Sequence, residues 1–490
     1  MSSVERDVRA GRVRGAWRGG VARFLGIPYG RPLTGAARFA APDTAVTWDG
    51  VLDATAFGPS PPQAPDSRRL PGPSDARRPP GPSDSDPDDY LRVNVWTPDP
   101  DATGLPVIVW VCGDGFVAGA SADPSFEGTG LARDANVVLV SMDHRLGMDG
   151  FALLEDAPAN RGLLDQAAAL RWVRDNVAAF GGDPGNVTVY GQSAGAACVA
   201  ALVTMPSNRG LFRRVVLGSV PNAYLSPERA RRVAADVAGL VGARPTAGDL
   251  AHVPADDLVK AVGAGPAQNV PGPVVDGEVL AADPWTAFGD GALADVPLMI
   301  GHTRNEYRLF VARAGLLGRV TADVADHALG ALAPPGGPDA YREAHPDAGP
   351  EELYDLVLSD ALFRMGTYRL AELHQGPTYL YELGLTVPAH EGALGAPHCA
   401  DIPLLFDVFD AGLGVELFEG NPSCTARKLG ARMRRAWGEF ARGGDPGWLP
   451  FDRDRRLTRV FDEHLSEVRY PEEASRRIWS DVRFGPLPAS

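Results

Sequence analysis

The stretch NVTVYGQSAGAACVAALV sets a serine where chemistry could happen. Val187 to Tyr190 reads as a short apolar strand and Ala194 onward as a helix, so GQSAG predicts Ser193 on a tight strand-to-helix turn with its hydroxyl exposed. Gly191 and Gly195 flank it for a mechanical reason, since a side chain at either would collide with the neighbouring strand or helix. A G-x-S-x-G match is weak by itself in a chain with 57 glycines; the flanking strand and helix strengthen it. A serine hydroxyl becomes a good nucleophile only when an imidazole removes its proton, and an acid must hold that imidazole in the right tautomer. The chain therefore has to bring a histidine and a carboxylate from elsewhere. A second stretch, VWVCGDGF from Val109 to Phe116, reads as a buried strand running into a glycine turn, with a carboxylate, Asp114, in the turn.

The elements that would position these groups are legible as a pattern. LPVIVWVCG and ANVVLVSMD are short apolar, β-branched runs, expected of strands covered on both faces. In NRGLLDQAAALRWVRDNVAAFGG, Leu163, Ala167, Leu170, Val173 and Val177 recur at helical spacing. Strands alternating with helices imply an α/β fold, a mainly parallel sheet with helices on both faces. The expectation is one large domain over residues 1–490, with helical insertions near 222–270 and 311–375. The segment Gly58 to Asp89, dense in Pro, Ser, Asp and Arg, is expected to be a mobile loop dispensable for folding.

Composition narrows the function classes. A chain of 490 residues with 44% hydrophobic content can bury a large core. Its net charge is −15, and Lys260 and Lys428 are its only lysines, which argues against a nucleic-acid partner. The N-terminal residues carry no apolar signal region, and no segment approaches the roughly 18 apolar residues of a membrane span, so a cytoplasmic protein without membrane insertion is expected. Cys112, Cys198, Cys399 and Cys424 fall at wide spacings, which points to buried free thiols rather than structural zinc or disulfides.

FGGDPGNVTVYGQSAGA, Phe180 to Ala196, resembles the serine signature of the type B carboxylesterases, a family of the α/β-hydrolase fold that includes bacterial para-nitrobenzyl esterases and the cholinesterases. Similarity continues through RFLGIPYGRPLTGAARF, YLRVNVWTP, DHRLGMDGF and GWLPFDRDRRLTRVFDEHLSEV, and weakens in the two insertions. The resemblance implies a triad in the order serine, acid, histidine. DVPLMIGHTRNEYRLF matches the family's strand and G-x-x-x-D-E-G turn, which puts the acid at Glu306, with Asn305 and Tyr307 in place of the usual Asp and Gly. LGAPHCADIPLLFD matches the histidine loop and puts the base at His398. His302 is the competing histidine; just past a strand end, it is expected on a loop or cleft rim.

The family's oxyanion donors are backbone amides, which here fall on Ala194, Asp114 and Gly115, because H-G-G-G-F appears as Cys112 to Phe116. Only proline would delete such a donor. Cys112 is expected simply to pack, and Gln192, where many relatives carry Glu, to change nothing. Asp114 is different: an ionised carboxylate about 4 Å from the developing oxyanion would oppose it by about 4 kcal/mol at an effective dielectric near 20. That matches what one oxyanion donor contributes, about 3 to 4 kcal/mol. Three readings stand: the side chain turns into a network beneath the loop, it faces the cleft to meet a polar or cationic substrate group or a water, or the oxyanion hole is degraded. Tyr90 stands where relatives carry the first cysteine of a disulfide-closed loop, so the Gly58 to Asp89 segment has no covalent tether and access to the site should be looser.

The expected function is carboxylic-ester hydrolysis through an acyl-enzyme, with no metal or cofactor, on a small-molecule ester, by a monomer or homodimer. Two alternatives are a tailoring enzyme of the same fold, performing lactone hydrolysis, cyclisation or elimination on a bulky substrate, and a non-catalytic binding protein on a hydrolase scaffold. The insertions would line the substrate pocket.

Overall fold

Apolar β-branched runs form the middle of a 13-stranded mixed sheet. The computed structural model describes residues 2–64, 86–265 and 270–488. In spatial order the parallel centre consists of Val138–Met142, Leu105–Val111, Gly182–Gln192, Arg214–Gly218, Leu298–Thr303, Thr378–Leu383 and Leu457–Phe461. Antiparallel strands extend it at both ends, with Ser466–Arg469 closing one edge and the N-terminal strands forming the other. The central strands are continuous apolar runs because helices cover both faces, and Val107, Val109, Val138 and Val140 are fully buried.

The helix expected from the 3.6-residue period spans Arg161–Asn176, and Leu163, Ala167, Leu170, Val173 and Val177 all lie in the core. Helix Ala194–Thr204 follows strand Gly182–Gln192 directly and is buried nearly all round, which its run of alanines allows. The two stretches expected to hold insertions are helical: Pro227–Leu240 and Ala255–Ala264 in the first, and Ala322–Leu332, Gly337–Ala344, Pro350–Ser359 and Met365–Leu373 in the second.

Most of the Gly58 to Asp89 segment lies outside the described residues, and with it the expectation of mobility. Its described ends are anchored, since Gln63 exchanges hydrogen bonds with the backbone of Gly119 at 3.1 and 3.2 Å, and Leu33 N–H donates to Asp88 O at 3.0 Å. Two expectations need correction. His302 is on neither a loop nor a rim: strand Leu298–Thr303 runs on through it, its ring is buried, and Nε2 lies 2.9 Å from Tyr470 Oη. Of the four thiols only Cys112 and Cys198 are buried; Cys399 is half-buried and Cys424 is exposed at the start of helix Cys424–Gly443. Among the described residues no helix is long and apolar enough to cross a membrane.

Candidate active site

Ser193, Glu306 and His398 all follow the carboxyl ends of parallel strands in the middle of the sheet, where α/β folds gather their ligands. Ser193 sits between strand Gly182–Gln192 and helix Ala194–Thr204 at φ 57° and ψ −132°. A non-glycine residue at positive φ is costly and persists only where its surroundings dictate it. Here a Cβ at Gly195 would fall 2.2 Å from Val111 O, and one at Gly191 would fall 2.3 Å from Gly195 O. The turn is therefore packed backbone against backbone. Ser193 N–H donates to Gly218 O at 2.9 Å, tying the turn to the next strand.

His398 Nδ1 hydrogen-bonds Glu306 Oε2. With that proton on Nδ1, Nε2 is left as an acceptor, and it lies 3.3 Å from Nε2 of Gln192, the residue beside Ser193 in the chain. Gln192 Oε1 accepts from Cys399 Sγ at 3.5 Å. Rings of Phe363 and Phe310 lie 4.5 and 5.4 Å from the imidazole, centroid to centroid, which keeps water from it. Glu306 is fully buried and takes the Thr303 N–H on Oε1 at 2.9 Å. Burial alone would push its carboxyl up; His398, the Ser219 hydroxyl and the Thr303 amide outweigh burial and hold it below its ordinary value. Burial likewise disfavours charge on His398, but Cys399 and Glu306 overcome it and raise the imidazole pKa. His302, the competing histidine, is pulled the other way, down to about 4, chiefly by burial.

The glycine loop lies against the serine turn. A Cβ at Gly113 would fall 3.0 Å from Ser193 Cβ and 3.3 Å from Ala194 N, so the amides of this loop and of Ala194 belong to one small region. Asp114, Gly115 and Phe116 take φ of 148°, 69° and 64° in succession, which glycine suits and the other two tolerate under constraint. Gly113, like Gly195, leaves no room for a side chain. Asp114 is exposed, and its charge reaches Arg313. Arg313 is itself held by a two-pronged pair with Glu416 at 2.9 and 3.0 Å. Cys112 packs in the core, where burial pushes its thiol well up.

Beside this loop opens a cavity of about 360 Å³ lined by Tyr90, Gly115, Val117, Leu146, Met148 and Leu258, among others. Asp149 is also on its wall, with both carboxylate oxygens taken by Arg38 at 2.8 and 3.0 Å. Sequence reasoning dismissed Gln192 and passed over Asp401. Asp401 is buried three residues beyond His398 with its carboxyl pushed up to about 7 by burial and by Glu306. An acid opening the apolar run DIPLLF was the available signal.

Comparison with known proteins points to one family. The model of the carboxylesterase family matches residues 2–326. The para-nitrobenzyl esterase of Bacillus subtilis (strain 168) is 33% identical over 491 residues, covering 95% of this chain and 96% of that one. The phenmedipham hydrolase of Pseudarthrobacter oxydans is 34% identical, covering 94% and 95%. Among solved structures, a Geobacillus stearothermophilus carboxylesterase at pH 6.2 superposes with a TM-score of 0.84 at 32% identity, covering 97% of this chain and 99% of that one. A PNB esterase superposes with a TM-score of 0.82, also at 32% identity, covering 97% and 100%. The chain belongs to the carboxylesterase family and is a carboxylic-ester hydrolase of the α/β-hydrolase fold.

Proposed function

We propose that the chain cleaves small-molecule carboxylic esters through an acyl-enzyme on Ser193, with His398 as general base and acid and Glu306 as its orienting carboxylate. The observation that carries this reading is the His398–Glu306 hydrogen bond together with the approach of His398 Nε2 to the residue beside Ser193. His398 Nε2 takes the Ser193 proton as Oγ attacks the ester carbonyl, and the imidazolium is steadied by Glu306. The tetrahedral oxyanion faces the amides of Ala194, Gly115 and Asp114. His398 then gives its proton to the leaving alcohol, and a water repeats the sequence on the acyl-enzyme. Gln192 has to yield the Nε2 lone pair to Ser193 before the first step.

The cavity beside Gly115 accepts an apolar, uncharged arm of the ester, because its walls are largely aliphatic and, among the described residues, its one carboxylate, Asp149, is already neutralised by Arg38. Helix Ala255–Ala264 supplies Leu258, Val259 and Val262 to that wall, which supports a pocket role for the first insertion. The test is turnover of p-nitrophenyl acetate by Ser193→Ala. A fall of at least about 10³-fold is expected; undiminished turnover by the folded variant would overturn the assignment.

A further inference from the structure

Glu306 and His398 stand on different loops, and Asn305 crosses between them through both its backbone and its side chain. Asn305 donates its backbone N–H to Ala396 O at 2.9 Å and accepts the Ala396 N–H on Oδ1 at 3.2 Å. The two segments pair as an isolated parallel bridge between Asn305 and Pro397, the residue before His398. The other end of the Asn305 side chain, Nδ2, donates to Asp355 Oδ2 at 3.2 Å. Asp355 is buried on helix Pro350–Ser359 and also accepts from Arg308 Nε at 3.3 Å and Ser359 Oγ at 3.0 Å. Ser359 Oγ in turn takes the Tyr307 N–H at 3.0 Å, and Arg308 Nη1 reaches Ala393 O at 2.7 Å. Both neighbours of Glu306 are thus tied to one helix of the second insertion, and Asn305 is tied to the histidine loop as well. The histidine loop is shaped to the Asn305 amide: Gly395 has φ 62°, and a Cβ there would fall 2.3 Å from Asn305 Oδ1.

The neighbours dictate which residue can stand at 305. The Ala396 N–H can only donate and an ionised Asp355 can only accept, so the bridging side chain needs an acceptor at one end and a donor at the other. Asparagine has both. Aspartate, which the family pattern puts at this position, would keep the bond to Ala396 but set a second carboxylate against Asp355, and two carboxylates that close cannot both ionise without a large penalty. Asn305 and Asp355 are a complementary pair.

We infer that Asn305, clamped by Asp355, is a positioning residue that locks the histidine loop to the acid loop and so fixes His398 relative to Glu306; the inference rests on the triad proposed above. The second insertion then serves the chemistry through this clamp. The test compares Asn305→Asp, Asn305→Ala and the exchange variant Asn305→Asp with Asp355→Asn. Each is checked for a wild-type circular-dichroism spectrum and assayed on p-nitrophenyl acetate from about pH 5 to about pH 10.

Asn305→Asp should lose kcat by about tenfold or more at alkaline pH with KM changed less than about threefold. It should regain activity as pH falls and the new carboxyl pair takes up a proton, so its profile gains a descending alkaline limb. The exchange variant restores the donor–acceptor pair and the original charge but takes from Arg308 Nε the oxygen it shared with Asn305, so it should recover part of kcat above Asn305→Asp and lose that limb. Asn305→Ala should lower kcat and move the acid limb to lower pH, as the hold of Glu306 on His398 loosens. Full kcat in Asn305→Asp at every pH, or a folded exchange variant no better than Asn305→Asp, would overturn the inference. If Asn305→Asp does not fold, wild-type kcat and acid limb in Asn305→Ala do the same. Turnover retained by Ser193→Ala removes the triad and this inference with it; Ser193→Ala inactive with unaffected Asn305 variants removes the inference alone.

Discussion

Around Ser193 the site is held by backbone packed on backbone, whereas around Glu306 and His398 it is held by polar side chains that must match one another. At the serine turn the decisive distances are steric ones, 2.2 Å from a Gly195 Cβ to Val111 O and 3.0 Å from a Gly113 Cβ to Ser193 Cβ. At the acid and histidine loops they are hydrogen bonds: Thr303 to Glu306, Asn305 to Ala396 and Asp355, Tyr307 to Ser359. Added atoms break the first kind of support, and its failure shows as lost stability. A changed donor, acceptor or charge breaks the second, and its failure shows in the pH profile and in kcat.

The comparison can be broken most severely at the polar side. Glu306→Gln should reduce kcat by about 10⁴-fold with the fold intact, since Gln can hold His398 in the wrong tautomer; steady-state kinetics beside a thermal melt checks this, and a loss below about tenfold would contradict it. At the steric side, Gly195→Ala should destabilise the protein by about 1 to 3 kcal/mol, measured by urea unfolding, because the new methyl meets backbone atoms that have nowhere to go. A wild-type midpoint would show that the turn has more slack than the distances allow.

A smaller effect separates the two sides by pH. Only neutral imidazole can take the Ser193 proton, so kcat/KM should fall on acidification through the pKa of His398. Cys399 and Glu306 raise that pKa, so the midpoint should lie above the ordinary value of about 6.5. Glu306→Gln should therefore shift the midpoint of its residual activity downward. A midpoint well below about 6.5 in the wild type would contradict the raised pKa.

Smallest is the change at Asp114. Asp114→Gly should raise kcat on simple esters by less than about tenfold: the carboxylate opposes the oxyanion, but its field is shared with Arg313. Glycine also takes φ 148° without strain. A loss of about tenfold or more would make Asp114 a positive participant.

The same contrast explains what could be read from the chain alone. The strand core Val187–Tyr190, the helix from Ala194 and the need for Gly191 and Gly195 were legible because periodicity and turn sterics are local. The assignments of Glu306 and His398 came from resemblance, not from spacing, since more than ninety residues separate them. Asp355 was invisible: inside an ordinary amphipathic helix, nothing marks one acid as facing an asparagine fifty positions earlier. His302 was misplaced because a strand's last residues look like loop when their burial depends on Tyr470, far along the chain. The exposed Cys424 shows the limit of composition, which says that thiols are usually buried but not which ones.

The central claim is that Ser193 is the residue acylated during turnover. Reaction of the intact protein with a fluorophosphonate probe, followed by peptide mapping, tests it most directly. The label should fall on the peptide containing GQSAG, at Ser193, in step with loss of ester turnover and with no labelling of Ser193→Ala. Label on a peptide lacking Ser193, or turnover that survives complete modification of Ser193, would contradict the account.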